Sequence, residues 1–137
     1  MLIGKTFWKG AVLPNILYGS DVINYNASEL SNIQVIENKA YRLILQVPHC
    51  TANSFLRGEI GASSSKARDM KNKILFLRHC YQPNTNSLLR EIITKDFERE
   101  LTPFIKTVKG YLKELKLLIS DVLFLSEPLG TDCHKNL

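Results

Sequence analysis

Apolar residues recur every three or four positions wherever this chain is not broken by proline, glycine or a serine cluster, and that rhythm commits it to helices. From Ser28 to Pro48 the positions Leu30, Ile33, Ile36 or Glu37, Ala40, Leu43, Ile44 and Val47 fall on one helical face. After Ser65, the residues Ala67, Met70, Ile74, Leu77 and Tyr81 make a narrow apolar stripe. From Phe104 onward, Val108, Tyr111, Leu115, Leu118 and Val122 alternate spacings of four and three. The fold class expected is all-α, a small bundle of about five helices.

Local signals set the breaks. Between Lys5 and Tyr18, Pro14 removes an amide donor and crowds the preceding turn, which predicts a kinked helix or two short ones closed by Gly19. Asp21 to Ala27 reads as a loop or short strand. Ser28 is placed to cap the next helix, with Glu29 at its positive end. Thr51 can cap a short turn ending at Gly58 or Gly61, and Ser87 can cap a helix carrying Leu89, Ile93, Phe97 and Leu101. Thr102-Pro103 restarts the chain with a cap and a first-turn proline. Gln82 to Ser87 is the best linker candidate, and residues 126–137, with Pro128 and Gly130, read as a disordered tail.

A chain of 137 residues with 45% hydrophobic residues is long and apolar enough for one globular core. No apolar run approaches the roughly 18 residues of a membrane span, so no membrane partner is expected. The start lacks the layout of a signal peptide, which predicts an intracellular protein, nuclear or cytoplasmic. Cys50, Cys80 and Cys133 are odd in number and far apart, favouring reduced thiols. Each adjoins a histidine, yet no Cys-x-x-Cys or His-x-x-x-His spacing exists, so neither a metal site nor a cofactor is expected.

The formal charge of +5 is unevenly placed. Up to Pro83 there are ten Lys/Arg against five Asp/Glu, and from Asn84 onward eight of each. The helix after Ser65 concentrates cations on both shoulders of its apolar stripe, with Lys71 and Arg78 on one flank and Lys66 and Lys73 on the other. Such a face suits a polyanion, and equally suits a solvated surface that keeps a protein in solution.

A set of short words between Phe7 and Gly61 points further. These are Phe7-Trp8-Lys9, Leu13-Pro14 with Leu17-Tyr18-Gly19, Tyr41-Arg42-Leu43-Ile44-Leu45-Gln46-Val47-Pro48, and Leu56-Arg57-Gly58-Glu59-Ile60-Gly61. Together they resemble the segment following the palm in reverse transcriptases of non-LTR (LINE-type) retrotransposons, where a helical thumb begins. The resemblance spans about residues 3–81; Asp21 keeps an acid common after the Tyr-Gly pair, while Ile23 stands where an aromatic is frequent. It implies a thumb-like basic region over 1–83; the periodicity beyond it gives neutral amphipathic helices over 84–125, expected to pack on that region. The resemblance also implies that the chain is a piece of such an enzyme, without the palm.

By that resemblance the chain grips a template-primer duplex, an RNA–DNA hybrid read by backbone and groove shape. Lys66, Arg68, Lys71, Lys73 and Arg78 become the expected phosphate contacts, with Lys39, Arg42 and Arg57 as helpers. Trp8 and Tyr41 could stack on bases, although aromatics at helical spacing usually serve a core. Catalysis is not expected: nucleotidyl transfer needs carboxylates converging on metal ions, and Asp21, Asp69, Asp96, Asp121 and Asp132 are scattered singly. Two other readings stand beside this one. One is a helical interaction module, a homodimer through Phe104, Val108, Tyr111, Leu115, Leu118 and Val122; the other is a nonfunctional remnant.

Overall fold

A computed structural model describes residues 2–124, and among these every regular element is a helix. The expected tail, 126–137, lies outside the described residues. Two compact units divide the chain, Met1–Lys73 and Ile74–Leu137, the division falling inside one helix.

The first unit opens with α1 (Leu2–Phe7), a π-helical stretch over Trp8–Val12, and α2 (Leu13–Leu17). The widened stretch immediately precedes Pro14. A proline there cannot donate to the carbonyl four residues back, and its ring crowds that turn. Opening the ladder so that Leu13 N–H donates to Trp8 O absorbs the misfit without ending the helix. Gly19, at φ +74°, follows α2 in the left-handed region, and the chain turns there, with Ile23 N–H donating to Gly19 O at 2.9 Å. No strand forms over Asp21–Ala27.

Next come α3 (Ala27–Leu45) and α4 (Asn53–Ile60). The cap of α3 is Asn26, not Ser28: its side chain accepts from Glu29 N–H at 2.8 Å, and the Glu29 carboxylate accepts from Asn26 N–H at 2.7 Å. This reciprocal box satisfies two amides that a serine two residues later could not reach. Asn26→Ala should destabilise the unit by about 1 kcal/mol, while Ser28→Ala should be nearly silent. Urea midpoints compare the two, and equal effects would refute the placement of the cap. Gly61, at φ +68°, closes α4.

The buried side of α3 follows most of the expected positions, with Leu30 and Glu37 buried and Ala40, Ile44 and Val47 packed against the core. Ile36 is 62% exposed and Leu43 80%, whereas Leu30, Glu37, Asn38 and Tyr41 face inward. The inward row serves two ends at once. Tyr41 meets the edge of Trp8, ring centroids 5.3 Å apart and planes at 79°, and both join Leu56 and Ile60 in the core. Glu37 reaches the guanidinium of Arg68 on α5 (Ser65–Cys80). The start of α5 is tied to α3, because Ser65 Oγ donates to Leu30 O at 2.9 Å and Ser65 N–H to Gln34 Oε1 at 2.8 Å.

The second unit holds the end of α5, then α6 (Ser87–Arg99), α7 (Pro103–Glu114) and α8 (Ile119–Phe124). Its core is Leu77, Cys80, Ile93, Val108, Leu112 and Val122, with Phe76 edge-on to Phe104 at 5.8 Å. Asn86 caps α6 in place of Ser87, accepting from Leu88 N–H at 2.9 Å. Thr102 and Pro103 begin α7 as expected.

The single helix expected over Phe104–Val122 is two. After Glu114 the chain closes with Leu117 N–H on Leu112 O at 2.9 Å and Lys116 at φ +54°. Val108, Tyr111 and Val122 are buried within the unit and Phe104 is half-buried, leaving only Leu115 and Leu118 of the proposed seam at the surface.

Candidate nucleic-acid interface

Eight cations were singled out from sequence, and the structure sorts them into three groups. Lys73 and Arg68 are withdrawn from the surface. The Lys73 ammonium, fully buried, pairs with Asp69 one turn earlier on α5. It also donates to Ser20 O at 3.2 Å and Ile23 O at 2.8 Å, and stands 5.6 Å from the centre of the Tyr25 ring. Three donors meet three acceptors, so no proton is left for a phosphate. Its task is to hold the turn after α2 against α5.

Arg68, 8% exposed, pairs with Glu37. Burial works against its charge, but the hydrogen bond and charge of Glu37 outweigh it and raise the pKa above the ordinary guanidinium value. The guanidinium therefore stays charged at any working pH, and its contribution to stability is fully present throughout that range. The expected roles of Arg68 and Lys73 as phosphate contacts are thus replaced by structural ones. The missed signal was available in part, since Asp69 and Lys73 stand four residues apart on a helix.

A second group is exposed in the first unit: Lys39 on α3, and Lys66 and Lys71 on α5. Arg42 and Arg57 are half-buried. Arg42 donates to Thr51 O at 3.2 Å and Asn53 Oδ1 at 2.8 Å, which pins the connection between α3 and α4. With Lys39, Leu43, Gln46, Val47 and His49 it lines an open recess of about 470 Å³. This recess lies at the C-terminal end of α3, where helix carbonyls carry partial negative charge, so an anion inside it is opposed by the helix. Lys39 at its rim is the better placed group. Arg78, the remaining member, belongs to the second unit and is half-buried.

Two cations not singled out belong to the first unit's surface. Lys5 donates to Glu59 O at 2.6 Å, and Lys9 Nζ lies 3.4 Å from where a side chain on Gly61 would begin. Both sit at the C-terminus of α4, where positive charge is favoured. Their spacing of four on one helix was the readable signal.

Neutralisation inside the unit has one electrostatic consequence. Because Glu37 and Asp69 are spent on Arg68 and Lys73, the first unit's excess of cations lies wholly on side chains that reach its surface. Those are Lys5, Lys9, Lys39, Arg42, Arg57, Lys66 and Lys71, against Asp21, Glu29 and Glu59. Trp8 and Tyr41 are core residues and offer no stacking surface. Among the described residues no three His, Cys, Asp or Glu side chains gather in a way that could hold a metal ion. No helix among them is long and apolar enough to cross a membrane.

Compared with models of protein families, with curated proteins and with solved structures, the chain finds no match.

Proposed function

We propose that the chain binds nucleic acid without catalysing a reaction, gripping the backbone of a duplex as the thumb of a non-LTR retrotransposon reverse transcriptase grips its template and primer. The observation that carries this reading is the surface excess of lysine and arginine in the first unit, left by the internal neutralisation of its two buried cations. Lys39, Lys66 and Lys71 are the contacts assigned to phosphates, with Arg42 and Arg57 beside them. An RNA–DNA hybrid, of A-like form, is the substrate favoured by the sequence resemblance.

Backbone binding of this kind is weak and sensitive to salt. Neutralising four phosphates gives a slope of log affinity on log salt of about −3 to −4, with a dissociation constant near ~10⁻⁴ to 10⁻⁶ M. Reversing Lys66 and Lys71 together to glutamate should reduce the magnitude of that slope by about two while leaving urea stability nearly unchanged. Fluorescence anisotropy of a labelled RNA–DNA hybrid across a salt series measures it. Unchanged binding by the folded double variant would refute the assigned face, and an absence of binding at low salt would refute the reading itself.

A further inference from the structure

The even charge of the C-terminal half conceals a segregated one. Lys106, Lys109 and Lys113 recur at spacings of three and four along α7, on one flank of the face that buries Ile105, Val108 and Leu112. Lys116 follows at the turn. Lys109 is held by Glu100 at 2.7 Å and lies 4.6 Å from the centre of the Phe97 ring, so it fixes this flank in place.

At the same turn the chain exposes leucines. Leu115 is 46%, Leu117 37% and Leu118 68% exposed, three apolar side chains within four residues. Leu117 and Leu118 also line an open recess of about 480 Å³, together with Phe97, Leu112 and Ile119 and with Lys109, Lys113 and Lys116.

We propose that the turn between α7 and α8 docks on an anionic lipid surface, the leucines entering the boundary between headgroups and acyl chains while the lysines meet lipid phosphates and carboxylates. Charge complementarity selects the anionic partner, since Lys106, Lys109, Lys113 and Lys116 outnumber Glu114 and Asp121 beside the exposed leucines. Leu115, Leu117 and Leu118 belong to one turn, too short a stretch to line the groove that receives an amphipathic helix, which favours a lipid surface over a partner helix. Nucleic acid has no use for them. The want of a membrane-spanning helix speaks to crossing a bilayer and not to resting on one.

Co-sedimentation of the full chain tests this with phosphatidylcholine vesicles, either pure or carrying about one-third phosphatidylserine, a composition that supplies the negative surface potential lysines respond to. The wild-type chain should bind the anionic vesicles and scarcely the neutral ones. Lys113→Gln with Lys116→Gln should weaken that binding by about thirtyfold. Leu115→Ser with Leu118→Ser, which leaves the charge untouched, should weaken it by at least about tenfold. Both variants should keep the wild-type circular dichroism and affinity for an RNA–DNA hybrid, which separates this surface from the first unit's. Equal binding to both vesicles, binding indifferent to the leucines, or no binding to either would overturn the proposal. So would saturable capture of a glutamate–leucine amphipathic peptide without vesicle binding, which would make the tip a protein-docking site.

Discussion

Lys73→Ala should destabilise the first unit by about 3–5 kcal/mol, the largest loss expected from any lysine in the chain. The substitution strands the Asp69 carboxylate, 2% exposed, without its counter-charge, and leaves the carbonyls of Ser20 and Ile23 without the ammonium that satisfies them. An uncompensated buried charge costs far more than the net worth of the pair that neutralised it. Lys71→Ala, two residues away on the exposed side of α5, should shift stability by no more than about 0.5 kcal/mol. Removing both charges with Asp69→Leu and Lys73→Met should recover the part of the loss due to the stranded carboxylate, while the carbonyls of Ser20 and Ile23 stay unsatisfied. Urea unfolding followed by the fluorescence of Trp8, the single tryptophan, measures all three in the relevant unit. Equal midpoints for Lys71→Ala and Lys73→Ala would show that the lysine is not held as described.

Tyr41→Ala should cost a similar amount, about 3–5 kcal/mol, by a different route. The ring, on α3, is fully buried against the π-helical stretch and α4, in edge contact with Trp8 and beside Leu56 and Ile60. Its removal opens a cavity that this core cannot refill without moving whole helices. Tyr41→Phe keeps the ring and removes only a buried hydroxyl that finds no hydrogen-bond partner, so a change of no more than about 0.5 kcal/mol is expected. Trp8 emission should shift to the red in the alanine variant, as water reaches an indole now 6% exposed. A wild-type emission maximum and midpoint in Tyr41→Ala would contradict this core. Losses of this size rival the whole stability of a small domain, typically about 5–15 kcal/mol, so the alanine variant should be partly unfolded at rest.

The readable and the unreadable parts of the fold separate along one physical line. Helix placement follows from neighbours in sequence, and so the apolar rhythm, Pro14, Gly19, Gly61 and Thr102-Pro103 predict the helical segments and most of their ends. Even the errors at the ends are local: Asn26 and Asn86 displace Ser28 and Ser87 as caps by one or two residues, because an amide side chain one step earlier reaches the free amides first. The break after Glu114 was concealed by a heptad-like rhythm that continues straight through Leu115 and Leu118. Leu and Lys at 115–118 carry no breaking signal, and only a residue in the left-handed region reveals the turn.

The candidate interface was legible as a composition and illegible as an arrangement. A cluster of cations on α5 was evident in the sequence, but which of them face water was not. Lys66, Arg68, Lys71 and Lys73 carry the same charge within eight positions, yet two are exposed and two buried.

The sequence by itself determined that the described residues are helical, where most of their helices start and stop to within a few residues, and that the net charge is positive, since each of these depends on short-range chemistry. Only the tertiary structure decided which cations reach solvent, because that depends on whether a carboxylate more distant in the chain arrives to neutralise them. Glu37 does so for Arg68 across 31 residues. No pattern within α5 alone could have announced it, and the choice between Ile36 and Glu37 on the inner face of α3, which the sequence left open, is fixed by the packing of Tyr41 on Trp8 as much as by the ion pair.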